Sequence, residues 1–185
     1  MKRGKMQNVS QSARSFPMYV QRELMTREEC RELLYTADAF DLWVDYEVPE
    51  DAVGHVVRQS IFDLRTHFDD LHERTLRFLA DVNDECWGLA LDGWHQPLRV
   101  ARYLPGYRHD WHTDHTDADA SKLAFSMPLN DGYQGGELQI LEAEPIDQKI
   151  GQAVVFPAFQ GHRVTHVTAG ARYTLLGWLT GPRFV

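Results

Sequence analysis

The strongest constraint on the fold is a change of sequence pattern just after Trp94. From there on, short segments rich in β-branched and aromatic residues alternate with glycine, proline and Asn-Asp turn signals. Two of the segments are almost continuously apolar, which is typical of strands covered on both faces. The pattern predicts a mainly β domain of the jelly-roll type. The eight predicted strands are 97–104, 109–115, 122–130, 136–142, 147–150, 152–156, 161–167 and 171–179.

The sequence before the strand-rich half has the spacing of amphipathic helices. Thr26 is a candidate N-cap, and Glu28 and Glu29 suit the first turn of a helix that begins there. A second, longer helix is predicted from about Ile61, with apolar residues along one side. Residues 41–60 are mixed in character and predict an irregular loop or short strands. We therefore expect N-terminal helices packed on one sheet of the jelly roll.

The chain is expected to form one folded domain. A chain of 185 residues can bury about 70% of its unfolded surface in a single core. Residues 1–15 are polar and basic and are expected to be a flexible tail. The domain is predicted to cover 16–185, with a helical preamble at 16–95 and a jelly-roll core at 96–185. Residues 1–15 lack an apolar signal core and no apolar run is long enough to cross a bilayer, so a cytoplasmic location is expected.

Charge and cysteine content narrow the classes of partner. The formal net charge of −8 and the pI near 5.5 disfavour a general nucleic-acid or anionic-membrane binder, which normally shows a basic face. The two cysteines, Cys30 and Cys86, are not in a metal-binding spacing. Free thiols are expected, although the sequence also permits one bridge between them. The oligomeric state stays open.

Three His-x-Asp tripeptides are candidates for a metal site, beginning at His67, His112 and His115. Residues two apart on a strand point to the same face, so such a pair can bind one ion together. The pair that begins at His67 lies in the predicted second helix, where residues two apart do not face each other. His112 and Asp114 lie in a predicted strand, whereas His115 opens a polar stretch typical of a loop. A surface role remains possible for both.

A third ligand has to come from a distant strand. His162 stands at the entrance of a predicted strand, and His166 follows four residues later on the same face by parity. Two imidazoles and one carboxylate leave positions open on an octahedral ion, which suits Fe(II) oxygenase chemistry. A four-coordinate hydrolytic Zn(II) could use the same ligands.

Arg172 distinguishes between these kinds of chemistry. It lies within an apolar predicted strand, and a buried arginine is costly unless it meets an anion. Its planar guanidinium matches a carboxylate through two parallel hydrogen bonds. Thr174, two residues on and on the same face, could add a hydroxyl group. The alternative for Arg172 is a structural ion pair with an acidic side chain of the protein.

Together these residues resemble the Fe(II)- and 2-oxoglutarate-dependent dioxygenases, specifically the prolyl-4-hydroxylase-like group of short bacterial and phage type. The Tyr-x-Pro-Gly…His-x-Asp block of that family is similar to residues 103–114. Its Leu-Asn…Gly-Gly-x-Leu block is similar to 129–138, and its Phe-Pro…His-x-Val-x-x-Val-x-x-Gly-x-Arg block to 156–172. The resemblance is close over residues 97–182, and three blocks in the same order are far more specific than any one of them.

The resemblance implies a double-stranded β-helix and assigns roles to particular residues. The implied iron ligands are His112, Asp114 and His162. Arg172 would bind the distal carboxylate of the 2-oxoglutarate co-substrate, with Tyr103 as a hydrogen-bond donor to it. Fe(II), 2-oxoglutarate and O2 are the implied cofactors and co-substrates, with ascorbate as a further candidate.

Two positions depart from the family pattern. Pro128 stands near a position where some relatives have a tyrosine or glutamine that helps to hold the carboxylate. Thr174, Ser126 or water would have to take over that role. His166 stands where many relatives have proline.

The resemblance implies hydroxylation of a prolyl residue in a peptide, with a free amino acid or other small molecule as the alternative. Arg58, Trp43 and Tyr46 are candidates to line the substrate groove, and ordinary packing or surface residues are the competing interpretation. Arg58 also opens a stretch, 58–60, that is similar to an Arg-x-Ser element of the family. Two other classes stay open, namely a metal-dependent isomerase or hydrolase on a cupin-like barrel and a jelly-roll module that binds a peptide or sugar without turnover.

Overall fold

The computed structural model describes residues 16–39, 44–46, 59–63, 68–115 and 120–183. Over these residues the chain forms two helices, α1 (Arg27–Ala39) and α2 (Asp69–Cys86). It also forms thirteen strands over the same residues. They are β1 (Val20–Glu23), β2 (Val44–Tyr46), β3 (Gln59–Asp63), β4 (Gly93–Trp94), β5 (Arg99–Tyr103), β6 (His109–His112), β7 (Ser121–Pro128), β8 (Gln134–Gly135), β9 (Leu138–Ile140), β10 (Gln152–Pro157), β11 (His162–Val164), β12 (Val167–Ala169) and β13 (Arg172–Thr180).

The strands form one large and two small antiparallel sheets. The large sheet has the order β1-β10-β7-β13-β5-β3-β2, and β4 pairs with β13 outside that path. A three-stranded sheet has the order β6-β11-β9, and β12 pairs with β8. This arrangement confirms the predicted mainly β, jelly-roll class.

Strand alternation separates two hydrophobic cores. On β10, Ala153 and Val155 belong to the core that contains the helices, whereas Val154 and Phe156 belong to the core shared with the three-stranded sheet. Successive side chains of a strand point to opposite faces, so each central strand of the large sheet serves both cores. On β7 this leaves all eight residues buried.

Both helices pack on the outer face of the large sheet. The buried side of α1 is formed by Cys30, Leu33 and Ala37. These residues, together with Leu79 of α2, lie in one core cluster with strand residues such as Leu175. The predicted packing of helices on one sheet of the jelly roll is therefore present.

Three element predictions were wrong in detail. The second helix begins at Asp69 and not near Ile61, because Gln59–Asp63 pairs with β5 as strand β3. Residues 147–150 form no strand, and Gln148 instead accepts a hydrogen bond at 2.9 Å from the backbone N–H of Leu138. The predicted strand 161–167 is divided into β11 and the beginning of β12. Pairing with neighbouring strands overrides local propensity in such segments.

Two further expectations concern thiols and membranes. Cys30 and Cys86 are both free, and burial raises the pKa of the Cys30 thiol to about 11. Across the described residues, no helix combines the length and the apolar character that a membrane crossing requires.

The start of α1 carries a reciprocal capping arrangement. The Thr26 hydroxyl accepts a hydrogen bond from the backbone N–H of Glu29 at 3.2 Å. The Glu29 carboxylate accepts one from the backbone N–H of Thr26 at 2.7 Å. Two otherwise unpaired N–H groups of the helix start are thus satisfied, which is the capping-box motif. Thr26 is thus the N-cap of α1, as the sequence predicts.

Replacing Thr26 by alanine should lower the free energy of unfolding by about 1 kcal/mol, because the N-cap acceptor is lost. Urea unfolding followed by circular dichroism measures the change. Thr26→Ser keeps the hydroxyl and is the matched control, with near-native stability expected. Equal stabilities of the alanine and serine variants would show that the cap contributes nothing.

Candidate functional site

Strand pairing places two histidines side by side. His112 is the last residue of β6, His162 is the first residue of β11, and the two are register partners across the three-stranded sheet. Asp114 follows two residues after His112, where its backbone N–H donates to the Ala158 carbonyl at 2.9 Å. The sheet therefore brings residues that are far apart in sequence to one point.

The side chains of His112, Asp114 and His162 form a cluster that could hold a metal ion. One ligand atom from each lies within 4.8 Å of the others. Nε2 of His112 is 3.5 Å from Oδ1 of Asp114, and Nε2 of His162 is 3.4 Å from Oδ2 of the same carboxylate. Two imidazoles and one carboxylate on one side of an ion leave the other positions free, which fits non-haem Fe(II).

Both imidazoles are held in the orientation that a metal requires. Nδ1 of His112 lies 2.7 Å from the Asp110 carbonyl oxygen, and Nδ1 of His162 lies 3.0 Å from that of Gln160. With Nδ1–H donating in each ring, Nε2 keeps its lone pair and faces the cluster. Hydrogen bonds of this kind fix the tautomer and the ring direction of metal-binding histidines.

Burial and the neighbouring side chains of the cluster shift the pKa values of Asp114 and His162. Burial alone would raise the pKa of Asp114, but the adjacent imidazoles of His112 and His162 and the hydrogen bond from Trp178 together lower it below its usual range. Burial is also the main cause of the lowered pKa of His162. A carboxylate and a neutral imidazole are the protonation states that bind a metal.

Arg172 is the clearest sign of a missing ligand. Its side chain is fully buried, at 0% exposure. Within the described part of the chain, its Nε, Nη1 and Nη2 atoms have no hydrogen-bond partner. The guanidinium lies over the Tyr103 ring, 5.2 Å from the centroid. A buried cation whose donors are all unpaired is expensive, so Arg172 could hold an anion that supplies the acceptors.

Arg172 and the metal cluster belong to one cavity, called here the metal-facing cavity. Antiparallel pairing of Arg172 with Tyr103 of β5 positions both residues at one end of it. Gly136, with φ +65°, makes room for the arginine, since a Cβ there would lie 2.8 Å from Arg172 Cδ. The polar and aromatic residues that line the cavity are Tyr103, His109, His112, Asp114, Phe125, Ser126, Phe156, His162, Arg172, Thr174 and Trp178.

Two hydroxyl groups line the same cavity. Ser126 Oγ and Thr174 Oγ1 are 3.0 Å apart. Thr174 also donates to the Met127 carbonyl at 3.1 Å. Both residues line the cavity, and their role in place of a side chain at Pro128 stays a prediction.

A larger cleft lies elsewhere. It measures about 830 Å³ and runs between α1 and α2, where charged residues such as Glu29, Arg74 and Arg77 line it. No metal-binding group of described residues falls in it. The chemistry-bearing residues converge on the smaller metal-facing cavity instead.

The rival histidines do not join the cluster. Nδ1 of His115 is 2.7 Å from the Ser121 carbonyl oxygen. His166 is exposed and its Nε2 is 3.1 Å from Arg108 Nη1. The strand breaks after Val164, which removes His166 from the face that carries His162 and invalidates the parity argument.

Two of the three predicted substrate residues, Arg58 and Trp43, lie outside the described residues. The same holds for His67, the histidine of the first His-x-Asp pair. Tyr46 ends β2, where it pairs with Gln59. Their predicted roles stay predictions.

Sequence reasoning missed two residues of the cavity that carry ring N–H groups, His109 and Trp178. His109 stacks on His112 with ring centroids 3.6 Å apart, because a register shift between β6 and β11 turns residues three apart to the same face. The sequence carries no signal for that irregularity. Trp178, which donates to Asp114, could have been found, since it continues the alternation of Arg172 and Thr174 along β13.

Comparisons with known sequences agree with this site. Residues 98–180 match the family model of the 2OG-Fe(II) oxygenase superfamily. A PKHD-type hydroxylase of Synechococcus sp. (strain CC9311) is 36% identical over 101 residues. The match covers 47% of this chain and 45% of that protein, so the chain spans less than half the length of this relative.

Solved structures show the same fold. A prolyl-4-hydroxylase from Pseudomonas putida superimposes with a TM-score of 0.69 at 20% identity, covering 90% of this chain and 94% of that one. A prolyl hydroxylase from Trichoplax adhaerens, in complex with a hypoxia inducible factor peptide fragment, gives a TM-score of 0.65 at 16% identity. It covers 89% of this chain and 84% of that one. The matched segment contains the metal cluster and Arg172, so this part of the chain is similar to the 2OG-Fe(II) oxygenase superfamily, and the fold is similar to that of prolyl-4-hydroxylases.

Proposed function

We propose that the chain is an Fe(II)- and 2-oxoglutarate-dependent hydroxylase that acts on a prolyl residue of a peptide. The observation that carries the proposal is the buried, unpaired Arg172 in the same cavity as the cluster of His112, Asp114 and His162. An unpaired arginine in the same cavity as the cluster suits a dicarboxylate that reaches both the metal and the guanidinium.

His112, Asp114 and His162 are the proposed iron ligands. The two backbone carbonyls that hold the Nδ1 atoms keep both imidazoles aimed at the ion, and the Trp178 hydrogen bond orients the carboxylate. When bound, Fe(II) together with 2-oxoglutarate and O2 supplies the oxidising power that hydroxylates an unreactive C–H bond.

Arg172 is the proposed anchor for the distal carboxylate of 2-oxoglutarate. Its planar donors suit a carboxylate through two hydrogen bonds, and Thr174 and the Tyr103 hydroxyl line the same cavity. Apolar residues such as Phe156 and Leu176 also line it. They exclude water, so the attraction between Arg172 and the carboxylate is stronger than it would be in solvent. Ascorbate stays a prediction without a structural counterpart.

Peptidyl proline is the proposed target because the similar structures include prolyl hydroxylases, one of them with a bound peptide fragment. Those structures are similar in fold at 16–20% identity, which supports the choice of substrate by analogy. A free amino acid is the second candidate, since the same metal site serves either.

A cytoplasmic location is also proposed. Two unpaired thiols, one of them fully buried, are typical of a compartment that keeps cysteines reduced. Fractionation of cells that express the full-length protein tests this assignment.

Alanine variants of the three proposed ligands should lose Fe(II) binding, because an imidazole or carboxylate donor disappears from a site with only three. Anaerobic titration with Fe(II), monitored by calorimetry, measures the affinity. His115→Ala is the matched control and should bind iron like the native chain. Loss of iron from the His115 variant, with retention in the His112 variant, would reverse the assignment.

Arg172→Ala should raise the 2-oxoglutarate concentration needed for half-maximal turnover by about two orders of magnitude, because a buried charge-assisted contact is lost. Iron affinity should persist, since Arg172 touches no proposed ligand. Arg172→Lys keeps the charge without the planar geometry and should be intermediate. If the alanine variant has the native 2-oxoglutarate dependence, Arg172 is a structural residue only.

Proline-containing peptides should gain one oxygen atom in a reaction that requires iron and 2-oxoglutarate. Mass spectrometry of a peptide library, with succinate formation measured in parallel, detects the product. Hydroxylation of free proline or another amino acid, in the absence of any peptide product, would replace the peptide assignment by the small-molecule one.

A further inference from the structure

A second cavity borders the metal cluster at Asp114. It measures about 210 Å³, and its walls include His95, Gln96, Arg99, Thr113, Asp114 and Trp178. Asp114 and Trp178 also line the metal-facing cavity, so the metal-binding carboxylate and the indole that bonds to it separate the two spaces. The second cavity does not include Arg172.

Two polar residues of the second cavity, Gln96 and Arg99, come from β5 and from the segment that precedes it. Gln96 lies in the segment between β4 and β5, next to His95, whose backbone N–H donates to the Trp178 carbonyl at 2.9 Å. Arg99 opens β5 and is the register partner of Leu176 on β13. Alternation along β5 turns Arg99 to the same face as Tyr103, which lines the metal-facing cavity.

Gln96 carries an unused hydrogen-bond acceptor. Its Oε1 atom is buried and has no partner among the described residues. A buried carbonyl oxygen without a donor is destabilising, and such groups in native proteins usually mark a ligand or an ordered water. Gln96 therefore offers a neutral acceptor for an N–H group, and Arg99 offers donors for a carbonyl or carboxylate oxygen at the same cavity.

We infer that the second cavity is the subsite for the main-chain amides that flank the hydroxylated residue of a polypeptide substrate. The inference rests on the proposed function and identifies the residues that recognise the substrate. Gln96 accepts a main-chain N–H, and Arg99 donates to a main-chain carbonyl. Because the co-substrate end of the site holds Arg172, a substrate that enters through the second cavity approaches the metal from the other side.

The donor set favours a peptide over a free amino acid. A free amino acid brings an ammonium group, which requires an acidic counter-charge when it is desolvated. Among the described residues that line the second cavity, Asp114 is the one acid, and the metal uses it. A neutral acceptor at Gln96 matches the neutral N–H of an amide instead.

The test compares peptide kinetics of three Gln96 and Arg99 variants with those of the native enzyme. Gln96→Leu and Arg99→Met should each raise the KM for a proline-containing peptide about tenfold or more, since a partly buried hydrogen bond is lost. Gln96→Glu keeps an acceptor oxygen and should recover most of the KM lost in the leucine variant. Gln134→Leu, at an exposed position on β8, is the matched control and should leave peptide turnover unchanged.

A second readout does not depend on turnover. Titration of the Mn(II)-loaded variants with 2-oxoglutarate, followed by tryptophan fluorescence, should give affinities close to the native value. Titration of the same samples with the peptide should show weaker binding in Gln96→Leu and Arg99→Met. Thermal melting confirms that each variant is folded.

The outcomes separate the inference from the function it rests on. If the native chain hydroxylates the peptide and the Gln96 and Arg99 variants keep its KM, the subsite assignment is wrong. If Arg99→Met weakens a free amino acid and no peptide is bound, the cavity recognises a carboxylate and the main-chain assignment is overturned. If the native chain consumes no 2-oxoglutarate with any substrate, the proposed function fails and the inference with it.

Discussion

The pairing of β11 with β6 is the interaction on which the site depends. It sets His162 opposite His112 across two antiparallel strands, so the distance between two ligands is fixed by the backbone ladder and not by flexible side chains. The Ala158 carbonyl then holds the turn that carries Asp114. Because both Nδ1 atoms bond to the carbonyls two residues earlier in the chain, the same backbone also sets the ring directions. A metal centre built in this way is preorganised before any ion binds.

Alternation along β13 supplies the other half of the site. Residues Arg172, Thr174 and Trp178 face the cavity, while Leu175 and Leu179 face the helices. One strand therefore anchors the helical layer and presents the proposed anion-binding arginine, a hydroxyl and the hydrogen-bond partner of Asp114. A slip of one residue in its pairing with β5 or β7 would exchange the two faces, so the core and the chemistry specify the same register.

Much of this arrangement could be predicted from the sequence, because it follows from periodicity and from the order of three motif blocks. His112, Asp114, His162 and Arg172 converge as expected, and the jelly-roll class is confirmed. The errors arise where tertiary contacts decide. Residues 61–63 join a strand of the large sheet instead of a helix, and a register shift brings His109 onto His112. The sequence also gives no sign that Gln96 matters. Its importance comes from a buried side-chain oxygen that has no hydrogen-bond donor among the described residues.

The unpaired guanidinium of Arg172 makes folding and ligand binding parts of one equilibrium. A chain that buries this cation without an acceptor gives up stability that an empty apolar site would retain. An anion that binds the folded form alone restores it in proportion to the logarithm of its concentration. The concentration of that anion thus sets the stability of the folded chain as well as the occupancy of the site.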